Sequence, residues 1–233
     1  MTLTQTAADG LLLDRLLYRD GLVLVIDKPA GLPVHAGPKG GPTVESYLDA
    51  LRFGLPQPPH LAHRLDRDTS GCLVLGRHRK ALRRLGKLFA AGLVRKTYWA
   101  VTEGVPEPSQ GVIDRPLTKR STARRGWWMQ VDEAGQKAVT RYRVRAVRDG
   151  RAWLELEPLT GRTHQLRVHL AAIGCPIAGD PVYGSSTREP GAPSLLLHAR
   201  GIVLPLYEKK APIDVRAAPP PALQSALDRL TGG

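Results

Sequence analysis

The sequence is poor in the residues and segments that define several classes of protein. Its 233 residues include only two cysteines, Cys72 and Cys175, which are too few for a disulfide-stapled secreted scaffold. No apolar run approaches the roughly 20 residues that cross a bilayer, and the first twenty residues lack the basic start and cleavage site of a signal peptide. Aromatic residues make up 5% of the chain, which is low for a protein that binds single strands by stacking alone. We therefore expect a cytoplasmic protein with no membrane association.

Acidic residues are also scarce relative to basic ones. The chain has 21 Asp and Glu against 34 Lys and Arg, which gives a formal net charge of +13. A positive field of this size attracts polyanions and supplies sequence-independent affinity through counterion release. Nucleic acid is the leading candidate partner, although charge alone leaves open a generally basic, solubilising surface. The apolar fraction of 42% is enough to bury a substantial core.

The usual motifs of metal and nucleotide chemistry are missing as well. Neither a P-loop nor a G-x-G-x-x-G follows a predicted strand, and no G-x-S-x-G elbow is present. His60 and His63 have no third ligand at a spacing that would complete a zinc site. His164 and His169 are five residues apart, which places them on different faces of a predicted helix. We expect neither a metal nor a cofactor.

Strand patterns outnumber helix patterns along the chain and include hairpin signals. The predicted strands are 22–26, 72–75, 96–102, 137–147, 151–157 after the Asp149-Gly150 turn, and a pair over 195–206 interrupted at Arg200-Gly201. The predicted helices are 44–53 capped by Thr43, 79–91, and one from Thr163 to Gly174. This order predicts an α+β fold with a largely antiparallel sheet. We expect an N-terminal extension at 1–20, a catalytic domain at 21–216 and a C-terminal tail with a short helix at 217–233.

Two basic segments are candidates for contact with an anionic partner. The predicted helix at 79–91 carries a basic outer face that includes Arg83 and Arg84. The insertion 114–132 contains Arg124, Arg125 and the pair Trp127-Trp128. This insertion either clamps a nucleic-acid backbone or forms a solvated β-loop whose tryptophans fold onto the core, and the sequence does not decide between them.

Two polar segments carry the residues that could perform chemistry. In HRLDRDTSG, residues 63–71, Asp66 and Asp68 are flanked by two arginines that favour a charged carboxylate, but a salt-bridged turn is the simpler reading. In PLTGRTHQLRVHL, residues 158–170, His164 and Arg167 are three apart and share one face of the predicted helix.

These segments belong to a set of motifs that resembles the RluA-type pseudouridine synthases. The motifs are DKPAGLPVHAG, HRLDRDTSGCLVLGR, RKTYWAVTEG, GRTHQLRVHLAAIGCPIAGDPVYG and LLLHA, in the order and spacing of that family, from residue 27 to 199. The resemblance implies a pseudouridine synthase fold, with a mixed, mostly antiparallel sheet in two halves and an active-site cleft across the middle. It also implies an isomerase that breaks the bond from uracil N1 to ribose C1′ and joins C5 to C1′ without metal or cofactor.

The resemblance also assigns site residues. The catalytic aspartate matches Asp66, the active-site tyrosine matches Tyr98, and the basic partner expected to pair with Asp66 matches Arg167. Arg64 matches the arginine expected to fill the gap left by a flipped nucleotide, and Leu197 is expected to pack on the uracil or on Tyr98. Whether the aspartate attacks C1′ or removes a proton from C2′ stays open.

The implied substrate is a uridine in a tRNA or ribosomal RNA stem-loop. Many relatives carry an extra N-terminal RNA-binding module, which we expect to be absent here, so that the catalytic domain itself must hold RNA. We expect a monomer. The loop 34–42, the basic helix and the insertion 114–132 are the candidate surfaces. Two alternatives stay open: a non-catalytic RNA-binding or chaperone protein with the same fold, and a glycosidase-like hydrolase of nucleosides with Asp68 as second carboxylate.

Overall fold

The computed structural model describes residues 10–37, 40–123, 126–184 and 194–232. The strands are β1 (Leu16–Arg19), β2 (Val23–Lys28), β3 (His60–Leu61), β4 (Ser70–Gly76), β5 (Arg95–Glu103), β6 (Gln110–Asp114), β7 (Leu117–Thr122), β8 (Gly126–Val131), β9 (Val139–Arg148), β10 (Arg151–Pro158), β11 (Leu197–Leu204) and β12 (Ile213–Arg216). The helices are a 3₁₀ helix (Val44–Leu51), α1 (Arg79–Ala90), α2 (Gln165–Ala172) and α3 (Pro221–Thr231). The predicted α+β class with mostly antiparallel pairing is confirmed. Within these residues, no helix is long and apolar enough to span a membrane.

The first of two structural units comprises the chain up to Arg95 together with Ala199–Ala218. Its strands lie in the order β1-β2-β4-β11, with β12 beside β11 and β3 beside β4. The apolar runs of β2 and β4 are buried, and α1 packs Leu85 into the same core. β1 lies inside the predicted N-terminal extension and pairs with β2, so residues 16–19 are part of this sheet.

The second unit comprises Lys96–His198 together with the chain from Pro219. Its strands lie in the order β5-β10-β9-β6, and β7 and β8 form a separate two-stranded ribbon. The predicted alternation in β9 is confirmed, since Thr140 and Tyr142 are buried while Arg141 and Arg143 are exposed. The turn at Asp149-Gly150 has positive φ at both residues, as a tight hairpin turn requires. The predicted C-terminal helix is α3, which buries three apolar side chains against this unit.

Three predicted elements differ from the structure. The helix predicted from Thr163 begins at Gln165, and its N-cap is His164 in the left-handed region, with φ of 53°. The interruption predicted at Arg200-Gly201 is wrong, because β11 is continuous and pairs with β12 rather than with a second strand inside 195–206. Thr43 does cap the next helix, by accepting a hydrogen bond from the Ser46 amide, but that helix is a 3₁₀ helix that ends at Leu51.

Candidate active site

The loop between β3 and β4 carries Asp66 in the first unit. Leu65 is buried beneath the loop, whereas Asp66 is half-buried and Arg64 is exposed. The backbone carbonyl of Asp66 accepts a hydrogen bond from the Thr69 amide at 3.2 Å, which closes a tight turn. Asp68 forms an exposed ion pair with Arg67 at 2.9 Å. The turn predicted as the simpler reading is therefore present, and it leaves the side chain of Asp66 partly accessible.

A buried lysine supports this loop from below. Lys28, at the end of β2, has no exposed surface, and its Nζ donates to three backbone carbonyl oxygens. They belong to Pro29 at 2.7 Å, Leu32 at 2.8 Å and Arg67 at 2.9 Å. The Arg67 carbonyl also accepts the Gly31 amide at 2.9 Å. The residue after Asp66 is thus tied to the loop that follows β2 through two hydrogen bonds to one oxygen.

The electrostatic state of Lys28 reflects its position among carboxylates. Burial lowers the pKa of Lys28 to about 8, and the negative charges of Asp68, Asp66 and Asp27 oppose this shift. The lysine therefore still binds its proton at neutral pH. An ammonium with three carbonyl partners has all three of its donors used, which is what burial of such a charge requires.

The start of β4 allows no side chain at Gly71. A Cβ atom there would lie 2.3 Å from the carbonyl oxygen of Ala199 in β11, and the residue has φ of +106°. Only glycine meets both conditions without displacing the neighbouring strand. Further along β4, the Val74 amide donates to Nε2 of His63 at 3.1 Å. These contacts fix both the entry and the exit of the Asp66 loop.

In the second unit, Tyr98 and Leu197 lie in one hydrophobic cluster. Tyr98, on β5, is half-buried and packs against the cluster, and Leu197 at the start of β11 is one of its buried members with 4% exposure. Contact of Leu197 with the uracil or with Tyr98 stays a prediction. Leu197 has so little exposed surface that its main contribution is to the packing of this unit.

Arg167 is held by a buried carboxylate that the sequence analysis did not name. Its Nε and Nη2 donate to the two oxygens of Asp180 at 2.7 and 2.8 Å, a bidentate pair with both side chains buried. Burial alone would raise the pKa of Asp180, but hydrogen bonds from Arg167 and from the amides of Val182 and Tyr183 hold it below its usual range. The predicted pairing of Arg167 with Asp66 stays a prediction.

Tyr183 connects this ion pair to the β7–β8 ribbon. Its ring lies 5.1 Å from the guanidinium of Arg167, and its hydroxyl contacts Nδ1 of His164 at 2.8 Å. The same hydroxyl accepts a hydrogen bond from the Met129 amide of β8 at 3.0 Å. His164 and Arg167, predicted to share one helix face, thus meet through Tyr183 although His164 precedes the helix.

The loop before α2 is organised by Gln165. Its side-chain oxygen accepts from the Thr160 hydroxyl at 2.7 Å and from the Arg162 amide at 3.0 Å, and its amide group donates to β9. Nζ of Lys96, two residues before Tyr98, donates to the Thr160 carbonyl at 3.2 Å. Burial lowers the pKa of Lys96, and the charge of Glu157 partly offsets this effect.

The predicted basic surface of α1 is confirmed as an exposed surface. Arg79, Lys80, Arg83, Arg84 and Lys87 are all exposed. In the same unit, the ring of Tyr207 lies 5.8 Å from the Arg84 guanidinium and 5.2 Å from Nζ of Lys210. The Tyr207 hydroxyl donates to Asp20 at 2.7 Å, which anchors this ring. We call these side chains, with Tyr207 and Lys210, the α1 surface.

The insertion 114–132 is the β7–β8 ribbon, and Arg124 and Arg125 lie outside the described residues. Trp127 is 47% exposed and stacks on the His164 ring, with centroids 5.0 Å apart. Nζ of Lys119 lies 5.3 Å from the Trp127 ring. The insertion thus forms a β-ribbon with a partly exposed indole next to a cation, and a clamp on nucleic acid stays a prediction.

The two cysteines and His169 lie in buried positions where their side chains contribute to packing and hydrogen bonding. Burial raises the pKa of the Cys72 thiol to about 12 and also raises that of Cys175. His169 is buried between the Thr140 hydroxyl and the Arg115 carbonyl, and burial lowers its pKa. In the described part of the chain, no group of three or more His, Cys, Asp and Glu side chains could hold a metal ion.

Sequence reasoning missed Lys28, Asp180 and Tyr183 as parts of the site. Each lies inside a motif quoted above, Lys28 in DKPAG and the other two in GDPVYG. An apolar strand that ends in Asp-Lys-Pro is the signal that could have indicated a buried lysine at the end of β2. An Asp-Pro-x-Tyr turn closely following a buried arginine on a helix is the corresponding signal for Asp180.

Comparison with known proteins found a matching family model, similar sequences and a similar structure. A family model described as RNA pseudouridylate synthase matches residues 22–172. An uncharacterised RNA pseudouridine synthase of Zymomonas mobilis is 47% identical over 91% of this chain and 96% of its own length. The ribosomal large subunit pseudouridine synthase C of Rickettsia bellii is 36% identical over 85% of this chain and 66% of its own. Human RNA pseudouridylate synthase domain containing 4 has a similar structure, with a TM-score of 0.80, 32% identity, and coverage of 97% of this chain and 98% of the other.

Proposed function

Because the chain belongs to the RNA pseudouridylate synthase family, whose members isomerise uridines in RNA, we propose that it converts specific uridines of tRNA or large-subunit rRNA to pseudouridine with Asp66 as its catalytic residue. The observation that carries this proposal is the family match over residues 22–172, which includes the whole Asp66 loop. The half-buried position of Asp66, in a turn held by buried groups, supports its assignment.

The reaction requires one carboxylate at the sugar. The bond from uracil N1 to C1′ breaks, the base turns while it stays bound, and C5 bonds to C1′. The C5 proton leaves and N1 gains a proton, so that the product is an isomer of the substrate. Asp66 either attacks C1′ or takes a proton from C2′, and both routes use the same side chain. The isomerisation is redox-neutral, so it consumes no oxidant or reductant.

Tyr98 is the proposed contact for the uracil ring. A half-buried tyrosine presents one part of its ring for stacking while the rest packs in the core. Its hydroxyl is the proposed group that assists removal of the C5 proton. Leu197, buried in the same cluster, supports the position of the Tyr98 ring.

Arg167 is the proposed basic partner of Asp66 in the reaction. Its bidentate pair with Asp180 holds the guanidinium plane in one orientation. This supports a role in which Arg167 donates hydrogen bonds in a fixed direction, in addition to supplying positive charge. The ring of Tyr183 against the guanidinium limits its movement further.

RNA is proposed to bind the α1 surface through its phosphates. Five exposed cations on one helix, together with Lys210, form a dense positive surface in the same unit as Asp66. Neutralising phosphates with such side chains gives binding that falls steeply with salt. Arg64, exposed next to the Asp66 turn, is the proposed side chain that occupies the gap left by the flipped uridine.

The β7–β8 ribbon is the second proposed RNA contact. Trp127 offers a partly exposed aromatic surface, and Lys119 and Arg120 provide exposed cations on the facing strand. Base stacking on such a ring contributes about 1–3 kcal/mol. Arg124 and Arg125 belong to the same insertion and are proposed to add phosphate contacts.

The identity of the RNA is supported most directly by a relative's name. The Rickettsia bellii protein is named as a large ribosomal subunit pseudouridine synthase, which favours rRNA as the first substrate to test. Pseudouridine mapping of total RNA from a strain that lacks this protein, compared with its parent, identifies the modified position. Absence of any lost pseudouridine in tRNA and rRNA would contradict the proposal.

A purified-enzyme assay separates the proposed function from its alternatives. The unaltered protein should form pseudouridine in the mapped RNA, and Asp66→Asn should lose this activity while it retains RNA binding. Release of free uracil would instead indicate a hydrolase, for which Asp68→Asn is the matching variant. Binding without any isomerisation by the unaltered protein would indicate the non-catalytic alternative.

A further inference from the structure

Lys28 is completely buried and contacts the loop that carries Asp66. Its Nζ lies 2.7–2.9 Å from three carbonyl oxygens, and two of these belong to the segment just after β2. The third belongs to Arg67, which is 39 residues away in sequence and directly follows Asp66. The ammonium group therefore bridges these two segments, next to the hydrogen bond from the Gly31 amide to the same carbonyl.

The contact at Arg67 acts on the backbone of the Asp66 turn. The Thr69 amide closes the turn on the Asp66 carbonyl, and Lys28 holds the next carbonyl, so that two successive peptide groups have fixed directions. With the backbone held in this way, the Asp66 carboxylate can move only by rotation about χ1 and χ2 of its own side chain. Loss of the Lys28 contact would remove one of the two hydrogen bonds to the Arg67 carbonyl and loosen the backbone next to Asp66.

The negative charges of three carboxylates, Asp68, Asp66 and Asp27, act on the Lys28 ammonium group. Asp27 has Arg15 at 3.7 Å and Asp68 has Arg67 at 2.9 Å. Asp66 is the third, and its charge attracts that of Lys28 across the turn. The buried ammonium is thus electrostatically coupled to the proposed catalytic carboxylate as well as tied to its backbone.

We propose that Lys28 is a positioning residue for Asp66. It holds the backbone one residue beyond Asp66 through the Arg67 carbonyl and attracts the Asp66 carboxylate by a buried positive charge. This inference rests on the proposed function for the role of Asp66. It assigns to Lys28 no contact with RNA. Its effect should therefore fall on the chemical step and leave the affinity for RNA unchanged.

The coupling can be measured on the folded protein without RNA. Lysine side chains labelled with ¹³C at Cε report their own titration by NMR, and Lys96→Arg identifies the signal of Lys96, a half-buried lysine whose pKa burial also lowers. Lys28 should titrate near pH 8 in the unaltered protein. Asp66→Asn should lower this pKa, because an attracting charge is removed, and should leave the titration of Lys96 in place. A Lys28 titration that Asp66→Asn does not change would overturn the proposal.

Activity provides the second readout. Lys28→Gln should lower kcat for pseudouridine formation about 100-fold, as expected for a misplaced catalytic group, with an unchanged Kd for RNA. The kcat of the unaltered protein should fall as pH rises through about 8, and this fall should be absent in Lys28→Gln. Lys96→Gln is the control for loss of another lysine whose Nζ donates to a backbone carbonyl, and it should keep the fall near pH 8.

Three outcomes decide between positioning and mere stabilisation. Loss of stability in Lys28→Gln with unchanged kcat would overturn the proposal. If Lys28→Gln does not fold, the NMR titrations of Asp66→Asn and of the unaltered protein still decide it. If the unaltered protein forms no pseudouridine in any RNA, the proposed function fails, while coupled titration of Lys28 and Asp66 would still establish their link.

Discussion

The two units hold their proposed catalytic side chains by opposite means. In the first unit, a buried cation, Lys28, holds the backbone beside Asp66 and leaves the carboxylate half-buried. In the second unit, a buried anion, Asp180, holds the guanidinium of Arg167 itself in a bidentate pair. A carboxylate that must react cannot have all its oxygens occupied by structural partners. A guanidinium has five donors, so it can be anchored by two and keep the others available.

The largest expected effect comes from breaking the side-chain anchor. Asp180→Ala should destabilise the protein by about 3–5 kcal/mol, because it leaves the buried charge of Arg167 without its carboxylate. Urea unfolding measures this change. Glu155→Ala, which breaks the exposed pair with Arg145, is the control and should cost about 1 kcal/mol or less. Equal effects of the two variants would show that the buried pair stabilises the protein no more than the exposed pair does.

The buried cation should appear as a pH dependence of stability. The pKa of Lys28 is about 8 in the folded protein, below the ordinary lysine value of 10.5, so the unfolded chain binds more protons between these values. The free energy of unfolding therefore rises as pH rises from 8 towards 10.5, and Lys28 accounts for up to about 3 kcal/mol of this rise. Lys28→Met should lack this rise when both proteins are unfolded in urea at several pH values. A parallel pH dependence in the two proteins would show that Lys28 is not its source.

Backbone placement in the first unit can be tested at Gly71. Gly71→Ala should destabilise the protein by about 2 kcal/mol or more, because its Cβ would collide with the Ala199 carbonyl at a positive φ. Gly31→Ala, at φ of +85° with open space around the new Cβ, is the matched control and should cost about 1 kcal/mol. Thermal unfolding compares them, and a similar cost for both would mean that strand contact does not matter here.

The smallest effect is expected at the outer end of the second unit's network. Tyr183→Phe removes the hydroxyl between His164 and the Met129 amide and should cost about 1 kcal/mol. The ring stays in place against Arg167, so activity should change little. Fluorescence of the partly exposed Trp127, which stacks on His164, reports any release of the β7–β8 ribbon. A loss as large as that of Asp180→Ala would mean that the hydroxyl, rather than the carboxylate, anchors Arg167.

Much of the fold could be predicted because its patterns are local. The period-two burial of β9, the glycine-containing turn before β10 and the apolar face of α1 each depend on residues close in sequence. The start of α2 could not be predicted in this way. His164 adopts a left-handed conformation because its ring is held by Tyr183, nineteen residues away, and Gln165 bonds to residues of β9.

The candidate site shows the same division. Asp66, Tyr98, Arg167, Arg64 and Leu197 came from motifs, and so did the family, which the comparisons confirm. Their partners were not readable there. Lys28 lies far from Arg67 in sequence and Asp180 lies beyond the end of α2, and nothing in either motif states which group each one binds.

The sequence by itself determined the chemistry that this protein carries, because residue type and spacing are written in the chain: a loop with an aspartate, a helix with an arginine and an excess of basic residues. The tertiary structure alone decided how those groups are held. A buried charge must find its partners wherever the folded chain brings them, and burial removes the water that would otherwise satisfy it. For that reason the buried contacts of Lys28 and Asp180 are the features that only the folded protein reveals.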